Sequence, residues 1–264
     1  MKLGIMASYG KFNPADYDNA KARGLSFLEY CINVGADWQA FVDSADEINA
    51  NSTRTGVTVG SIGRWGTTRV TAEGPVKEEL EADKALIRTA AKVGCPVFIC
   101  GCNEVEGLSY YENCGLAIRY FEELLALGKE TGVKIAVYNC RWNNFVCCDP
   151  AWTLILGHLP DLGIKYDASH CINESENDYL EEIKKWGSRF YHVHIKGTLR
   201  IGGGHVDDPP AGLDMINWNA LMGMLYAAGY DGNLSIEPHS GIWKGELGEK
   251  GIDYTVRYIK ERML

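Results

Sequence analysis

The sequence predicts an α/β fold, a single (β/α)8 TIM barrel that spans residues 1–264. Eight short apolar runs with strand-like composition alternate with helical patterns along the whole chain. No change in composition and no linker divides the sequence. A doubly wound open sheet is less favoured, because eight units are many for such a sheet and no G-x-G-x-x-G follows the first strand.

The strands and helices follow one another in regular order. The predicted strands are Lys2–Ala7, Ser26–Ile32, Val57–Ile62, Pro96–Cys100, Val133–Tyr138, Gly163–Asp167, Arg189–Ile195 and Asn233–Glu237. The predicted helices are Tyr17–Arg23, Val76–Lys92, Leu116–Thr131, Pro150–Leu159, Tyr179–Trp186, Trp218–Ala228 and Ile252–Arg262. Thr198–Asn217 is the longest irregular stretch, and a loop of this length predicts a binding loop or lid.

Composition narrows the class of protein. The net charge of −9 argues against a broad surface that binds nucleic-acid phosphates. No apolar run approaches the roughly 20 residues of a membrane span, and the N-terminus lacks signal-peptide features, so we expect a cytoplasmic protein. The nine cysteines are an odd number without paired C-x-x-C spacing, which predicts buried free thiols.

Polar clusters follow four of the apolar runs. They are Tyr138–Asn139, Asp167–His170, His192–His194 and Glu237–His239. In a barrel, the C-terminal ends of all strands open onto one face, where catalytic groups lie. Asp167, His194 and Glu237 together suit Mn²⁺, Mg²⁺, Co²⁺ or Zn²⁺. Such an ion can polarise a sugar carbonyl and stabilise an enediolate while a carboxylate removes a proton.

Each of these residues also has a structural interpretation. Asp167 could cap the turn that follows its strand. Glu237 could belong to a structural salt bridge, because a buried carboxylate needs a partner. His192 and His194 are two residues apart and therefore share a face of their strand. We favour His194 as the ligand and His192 as a hydrogen-bonded core residue.

The segments around these clusters resemble the xylose isomerase-like barrel superfamily, which includes sugar isomerases, ketose 3-epimerases, dehydratases and endonuclease IV-type enzymes. The resemblance rests on Lys134–Asn139, Lys165–His170, His192–Lys196 and Leu234–Glu237. It implies Asp167, His194 and Glu237 as metal ligands, His170 as a substrate contact, and Glu237 also as an acid or base.

The fifth strand departs from the family pattern. Where the family has a glutamate ligand, this chain has Tyr138, followed by Asn139. Asn139 could serve as a neutral oxygen ligand, Glu104 could reach inward, or Tyr138 could act as an acid. The change leaves the predicted metal site one negative charge short and disfavours simple 3-epimerisation by two carboxylates.

Residues that could bind a substrate follow the third, fifth and seventh strands. Tryptophan faces can stack on sugar C–H surfaces while arginine binds hydroxyls, although such aromatics could equally pack the top of the barrel. No P-loop motif is present, so a phosphorylated substrate is not assumed. The predicted substrate-binding residues are Arg64, Trp65, Arg141, Trp142, Lys196 and His205.

The leading functional hypothesis is a metal-dependent sugar isomerase or epimerase that acts on a small sugar or polyol. One alternative is a metal-dependent lyase or dehydratase on a keto-sugar or keto-polyol, since one base and one acid suffice. Another is a non-catalytic sugar-binding barrel. Endonuclease activity is less favoured, because the six histidines lack the required spacing. Barrels of this type often associate, so a homo-oligomer stays open.

Overall fold

The computed structural model describes residues 1–174 and 178–264 and confirms the predicted fold class. Eight parallel strands form a closed barrel in chain order, with the last strand paired to the first. Helices surround the barrel. The strands are β1 Lys2–Met6, β2 Phe27–Cys31, β3 Thr58–Arg64, β4 Val97–Cys100, β5 Lys134–Tyr138, β6 Gly163–Tyr166, β7 Phe190–Ile195 and β8 Asn233–Ile236.

The helices differ from the prediction mainly in number. Those in the described residues are α1 Pro14–Ala22, α2 Trp38–Asp43, α3 Ala45–Thr55, α4 Lys77–Lys92, α5 Tyr110–Thr131, α6 Asp149–His158, α7 Ala168–Glu174, α8 Tyr179–Trp186, α9 Trp218–Ala227 and α10 Gly245–Lys260. The prediction missed α2, α3 and α7. Helix α3 is rich in Asn, Ser and Thr, residues that favour turns over helix interiors, so its sequence signal is weak.

Helices α5 and α10 begin more than one helical turn earlier than predicted. Helix α5 starts at Tyr110 because Ser109 and Glu112 form a capping box, with the Ser109 amide donating to the Glu112 carboxylate at 2.8 Å. Helix α10 starts at Gly245, and its first turns contain glycines that hide the helical pattern. One of them, Gly251, allows close packing, since a Cβ there would lie 2.7 Å from Pro210 Cγ.

The predicted irregular stretch contains a small hairpin, which corrects the sequence interpretation. Leu199–Ile201 pairs antiparallel with Gly204–Asp207. Gly202 and Gly203 form its two-residue turn, with φ values of 59° and 83°. A turn with two left-handed residues matches the twist of a hairpin, and glycine adopts that conformation without strain.

Phe27 closes the N-terminal end of the barrel. Its ring occupies the space beside Gly4 and Gly60, and its centroid lies 6.0 Å from that of His192. The predicted burial of the cysteines is also largely confirmed: all nine lie in the described residues without a disulfide bond, seven buried and two half-buried. Among the described residues, no helix combines the length and apolar character needed to cross a bilayer.

Substitution of Gly60 by alanine should destabilise the barrel by about 1–3 kcal/mol. A Cβ at this position would lie 2.2 Å from Phe27 Cδ2, and the ring has little room to move within the closed barrel. Urea unfolding of the variant would measure the change. Gly157→Ala is a suitable control, because nothing lies within 4 Å of a Cβ there, and equal stability losses would contradict the prediction.

Candidate functional site

A buried carboxylate in β2 organises the interior of the barrel. Glu29 Oε2 lies 2.9 Å from His192 Nε2 and 2.9 Å from His194 Nε2. All three side chains are almost completely buried. Because both imidazoles meet the same carboxylate, the prediction that His192 and His194 share a face is confirmed. Sequence reasoning missed Glu29, although a glutamate within the apolar run of β2 signals a buried partner.

His194 connects Glu29, in the barrel interior, to the side chains at the mouth of the barrel. Its Nδ1 lies 2.8 Å from Glu237 Oε2 and 3.9 Å from Asp167 Oδ2, while Nε2 faces Glu29. Burial alone would lower the pKa of His194, but Glu29 and Glu237 together outweigh burial and the repulsion of Lys165, and they raise it. The imidazolium is therefore stabilised between two carboxylates.

Asp167 caps the turn that follows its strand, as one of its two interpretations predicts, and it also has an oxygen in the polar cluster. Its Oδ1 accepts hydrogen bonds from the Ser169 amide at 2.9 Å and hydroxyl at 2.7 Å, which caps the start of α7. Its Oδ2 points toward the mouth of the barrel, 3.5 Å from His170 Nε2. A turn cap thus fixes one oxygen of Asp167 and leaves the other for the site.

Lys196 lies at the centre of the cluster. Its Nζ is 3.0 Å from Asp167 Oδ2, 3.4 Å from Glu237 Oε2 and 3.1 Å from His170 Nε2. Burial alone would lower the pKa of Lys196, but Asp167 and Glu237 outweigh it and raise the pKa well above its usual range. Lys196 therefore carries a positive charge at neutral pH.

A second buried lysine escaped the sequence analysis as a site residue. Lys165, in β6, is 1% exposed, and its Nζ lies 3.8 Å from Asp167 Oδ2 and 5.9 Å from the centre of the Trp65 ring. A lysine within an apolar strand, like the glutamate of β2, is a signal that sequence reasoning could have used.

A cavity of about 100 Å³ opens beside this cluster. Charged and aromatic side chains dominate its wall, and Glu237 is its one carboxylate among the described residues. The predicted site residues that line it are Trp65, Trp142, His170, His194, Lys196 and Glu237. The structure therefore brings together half of the predicted set at the C-terminal end of the barrel.

The two fifth-strand residues have structural contacts instead. The Tyr138 hydroxyl donates to the Trp142 carbonyl at 3.0 Å, and its ring stacks on Trp65 with centroids 5.2 Å apart. Burial raises the pKa of Tyr138 well above its usual value. Asn139 uses both ends of its amide on the Asp167 backbone, at 2.8 and 3.0 Å. Glu104, the other candidate for this position, is exposed.

The remaining predicted substrate contacts, Arg64, Arg141 and His205, do not line the cavity. The Arg64 guanidinium pairs with Glu79 and, at 3.2 Å, with Asp83. Arg141 is exposed and lies beside Glu174. His205, on the hairpin, bonds Asp208 at 2.8 Å. These contacts depend on how loops pack after the strands end, which local sequence patterns do not specify.

Within residues 1–174 and 178–264, three groups of side chains have donor atoms close enough to hold a metal ion. One is the predicted set Asp167, His194 and Glu237, whose ligand atoms lie within 4.8 Å of one another. However, the ammonium of Lys196 contacts two of its three ligand atoms, at 3.0 and 3.4 Å. A divalent ion at this position would meet an adjacent positive charge, so the arrangement does not fit a metal unless Lys196 moves away.

We expect the protein to lose stability as the pH falls below about 4.5, because Glu29 is then protonated in the unfolded chain. Burial alone would raise the pKa of Glu29, but His194 and His192 outweigh it and hold the pKa well below its usual value. The stabilisation is therefore present above the unfolded-state pKa and is lost as the pH falls through the folded-state value. Thermal melts from neutral to acidic pH would show it, and Glu29→Gln should flatten the profile.

The chain belongs to the xylose isomerase-like TIM barrel family, which matches residues 17–262. Comparison with curated protein sequences gave no significant match.

Solved structures share the fold at low sequence identity. D-allulose 3-epimerase from Methylomonas sp. is 14% identical, with TM-score 0.79 and coverage of 100% of this chain and 97% of that one. The 3-keto-D-glucoside 4-epimerase from E. coli is 16% identical, with TM-score 0.76 and 99% coverage of both chains. The probable 3-DHS dehydratase from Bacillus anthracis is 15% identical, with TM-score 0.76 and 100% coverage of both.

Proposed function

We propose that this protein is a carbohydrate isomerase or epimerase that removes a proton from a carbon next to a carbonyl group. The observation that carries the proposal is the convergence of Glu237, His194, Asp167 and Lys196 beside one cavity at the C-terminal end of the barrel. Barrels of this architecture place their chemistry at that end. Sugar epimerases among the structures of the same fold agree with this class of reaction.

Glu237 is our candidate for the base. It lines the cavity, and its side chain is 11% exposed, so one oxygen can reach a bound molecule. Burial raises the pKa of Glu237, but Lys196 and His194 outweigh burial and hold it well below its usual value. The carboxylate is thus ionised at neutral pH and able to accept a proton, provided that the enediolate formed is itself stabilised.

His170 is a candidate for orienting a sugar hydroxyl. Its Nδ1 lies 3.0 Å from Glu174 Oε1, and its ring borders the cavity. Trp142, 49% exposed at the same wall, offers an indole face to the C–H surface of a sugar. A small sugar or polyol derivative is accordingly the substrate class that we propose.

A lyase or dehydratase is the second candidate, and a specific observation favours it. Glu237 is the one carboxylate lining the cavity among the described residues, because the fifth-strand position holds Tyr138. Exchange on both faces of a carbon by two carboxylates therefore lacks a second base. Removal of one proton followed by loss of a β-hydroxyl requires only one base and one acid.

Deuterium exchange tests the proposed function. The protein is incubated in D₂O with a panel of ketoses, aldoses and 3-keto-glycosides, and NMR follows the C–H signals next to each carbonyl. Loss of such a signal with formation of a second diastereomer supports the epimerase. Formation of an α,β-unsaturated ketone supports the lyase instead. Tight binding of a sugar without exchange in any member of the panel would contradict both and indicate a binding protein.

A further inference from the structure

We propose that the ammonium group of Lys196 takes the place of a divalent metal ion in this site and binds the substrate oxygen that becomes negatively charged. The role of Lys196 in binding a substrate oxygen rests on the proposed function. That Asp167 and Glu237 hold the ammonium group rather than a metal ion is a separate, structural statement. It departs from the metal site that the family resemblance implies.

The contacts of Lys196 are those expected of a central cation. Its Nζ lies 3.0 Å from Asp167 Oδ2 and 3.4 Å from Glu237 Oε2, the same oxygens that would coordinate a metal. The third ligand of that set, His194 Nδ1, is hydrogen-bonded to Glu237 at 2.8 Å. A metal ion bound to these three atoms would compete with the ammonium group of Lys196 for the oxygens of Asp167 and Glu237.

The fourth ligand position is also lost. At the end of β5, Tyr138 directs its hydroxyl to the Trp142 carbonyl at 3.0 Å and also receives the Gly66 amide at 3.4 Å. Asn139 is held by both ends on the backbone of Asp167. Neither side chain supplies the carboxylate that would offset a second positive charge.

Two lysines already face the carboxylates at the mouth of the barrel. Lys196 Nζ contacts Asp167 and Glu237 at 3.0 and 3.4 Å, and Lys165 Nζ lies 3.8 Å from Asp167 Oδ2. A divalent ion would add two positive charges to this set. At position 138 the chain has a tyrosine in place of the family's glutamate, and Lys196 contacts the two carboxylates that remain. These two features are consistent with each other.

The chemistry requires only a hydrogen-bond donor with a fixed positive charge. When Glu237 takes a proton from the carbon next to the carbonyl, the C–H electrons form the C=C bond of an enediolate and the carbonyl oxygen becomes negative. Lys196 Nζ can donate to that oxygen and stabilise it electrostatically. Return of the proton to carbon regenerates the carbonyl, so no oxidant, reductant or other reactant is needed.

Manganese binding provides a test that is independent of turnover. Purified protein is dialysed against EDTA and then titrated with Mn²⁺, with free Mn²⁺ followed by electron paramagnetic resonance. The variants are Lys196→Met, which keeps an unbranched side chain as far as Cε and removes the ammonium group, Asp167→Asn/Lys196→Met, and the surface control Lys129→Met. Circular dichroism checks that each is folded.

We expect no saturable Mn²⁺ binding by the wild type or by Lys129→Met. Lys196→Met should bind Mn²⁺ saturably, with a Kd at least about tenfold below the highest Mn²⁺ concentration at which the wild type shows no binding, because Asp167 and Glu237 lose their competing cation, and the added Asp167→Asn should abolish this binding. Stoichiometric Mn²⁺ binding by the wild type would overturn the proposal even if Lys196→Met does not fold. So would a folded Lys196→Met that gains no affinity.

The activity arm separates this inference from the proposed function. Deuterium exchange into any sugar that proves to be a substrate should be unaffected by EDTA. An exchange rate that depends on added metal would refute the role of Lys196. If no sugar in the panel exchanges while the Mn²⁺ results are as expected, the proposed function fails and the assignment of the lysine as the bound cation stands.

Discussion

Replacement of Glu237 by glutamine should lower the rate of proton exchange into the substrate by about 10²–10⁴-fold, the usual contribution of a positioned acid or base. The amide keeps the size of the side chain and can still accept from His194 Nδ1, now 2.8 Å from the carboxylate. It cannot take up a proton. Because the change removes a group that acts in the transition state, kcat should fall far more than KM rises. Exchange kinetics in D₂O, measured with the best sugar of the panel, would give both constants.

A matched control separates this effect from a general loss of charge. Glu123 lies on the outer helix α5, more than half exposed, and pairs with Lys84 at 2.9 Å. Glu123→Gln makes the same chemical change far from the cavity and should leave both constants unchanged. If Glu237→Gln exchanges protons as fast as this control, then Glu237 is not the base, and His170 or the half-buried thiol of Cys140, which also line the cavity, becomes the candidate.

The strand-end residues of the site could be predicted because their signal is local. Asp167, His194 and Glu237 each end or closely follow an apolar run, and the barrel topology brings such ends to one face. Glu29 and Lys165 lie within strands, and their importance depends on what faces them across the barrel. Which residues meet there is decided by strand register, which no single segment of the sequence contains.

The directions of the side chains that follow the strands were the least predictable part of the site. Arg64 ends β3, where the pattern favoured a role at the mouth, yet its guanidinium turns outward to Asp83. Asp83 also receives Arg69 at 2.8 Å and the Tyr120 hydroxyl at 2.8 Å. A buried carboxylate on α4 therefore determines where the arginine goes, and this tertiary contact overrides the position of Arg64 in the sequence.

Substitution of Glu29 by alanine should destabilise the protein by about 3–5 kcal/mol, the loss typical when one partner of a buried ion pair is removed. Its carboxylate oxygens are 2.9 to 3.0 Å from the Nε2 atoms of His192 and His194, and alanine would leave both imidazoles without this acceptor in the barrel interior. For a chain of this size, the loss corresponds to a fall in Tm of about 6–20 °C. Urea unfolding at neutral pH would measure the free energy directly.

Glu29→Gln and an exposed control show which part of the interaction matters. Glutamine keeps one carbonyl acceptor and the packing volume, so it should lose less stability than alanine, whereas Glu47→Ala on the surface of α3 should lose almost none. A Glu29→Ala protein as stable as the Glu47→Ala control would mean that the two histidines do not depend on Glu29. His194 would then be held by Glu237 alone, at 2.8 Å. In that case Glu237 at the mouth of the barrel, and not Glu29 in the interior, would orient the imidazole.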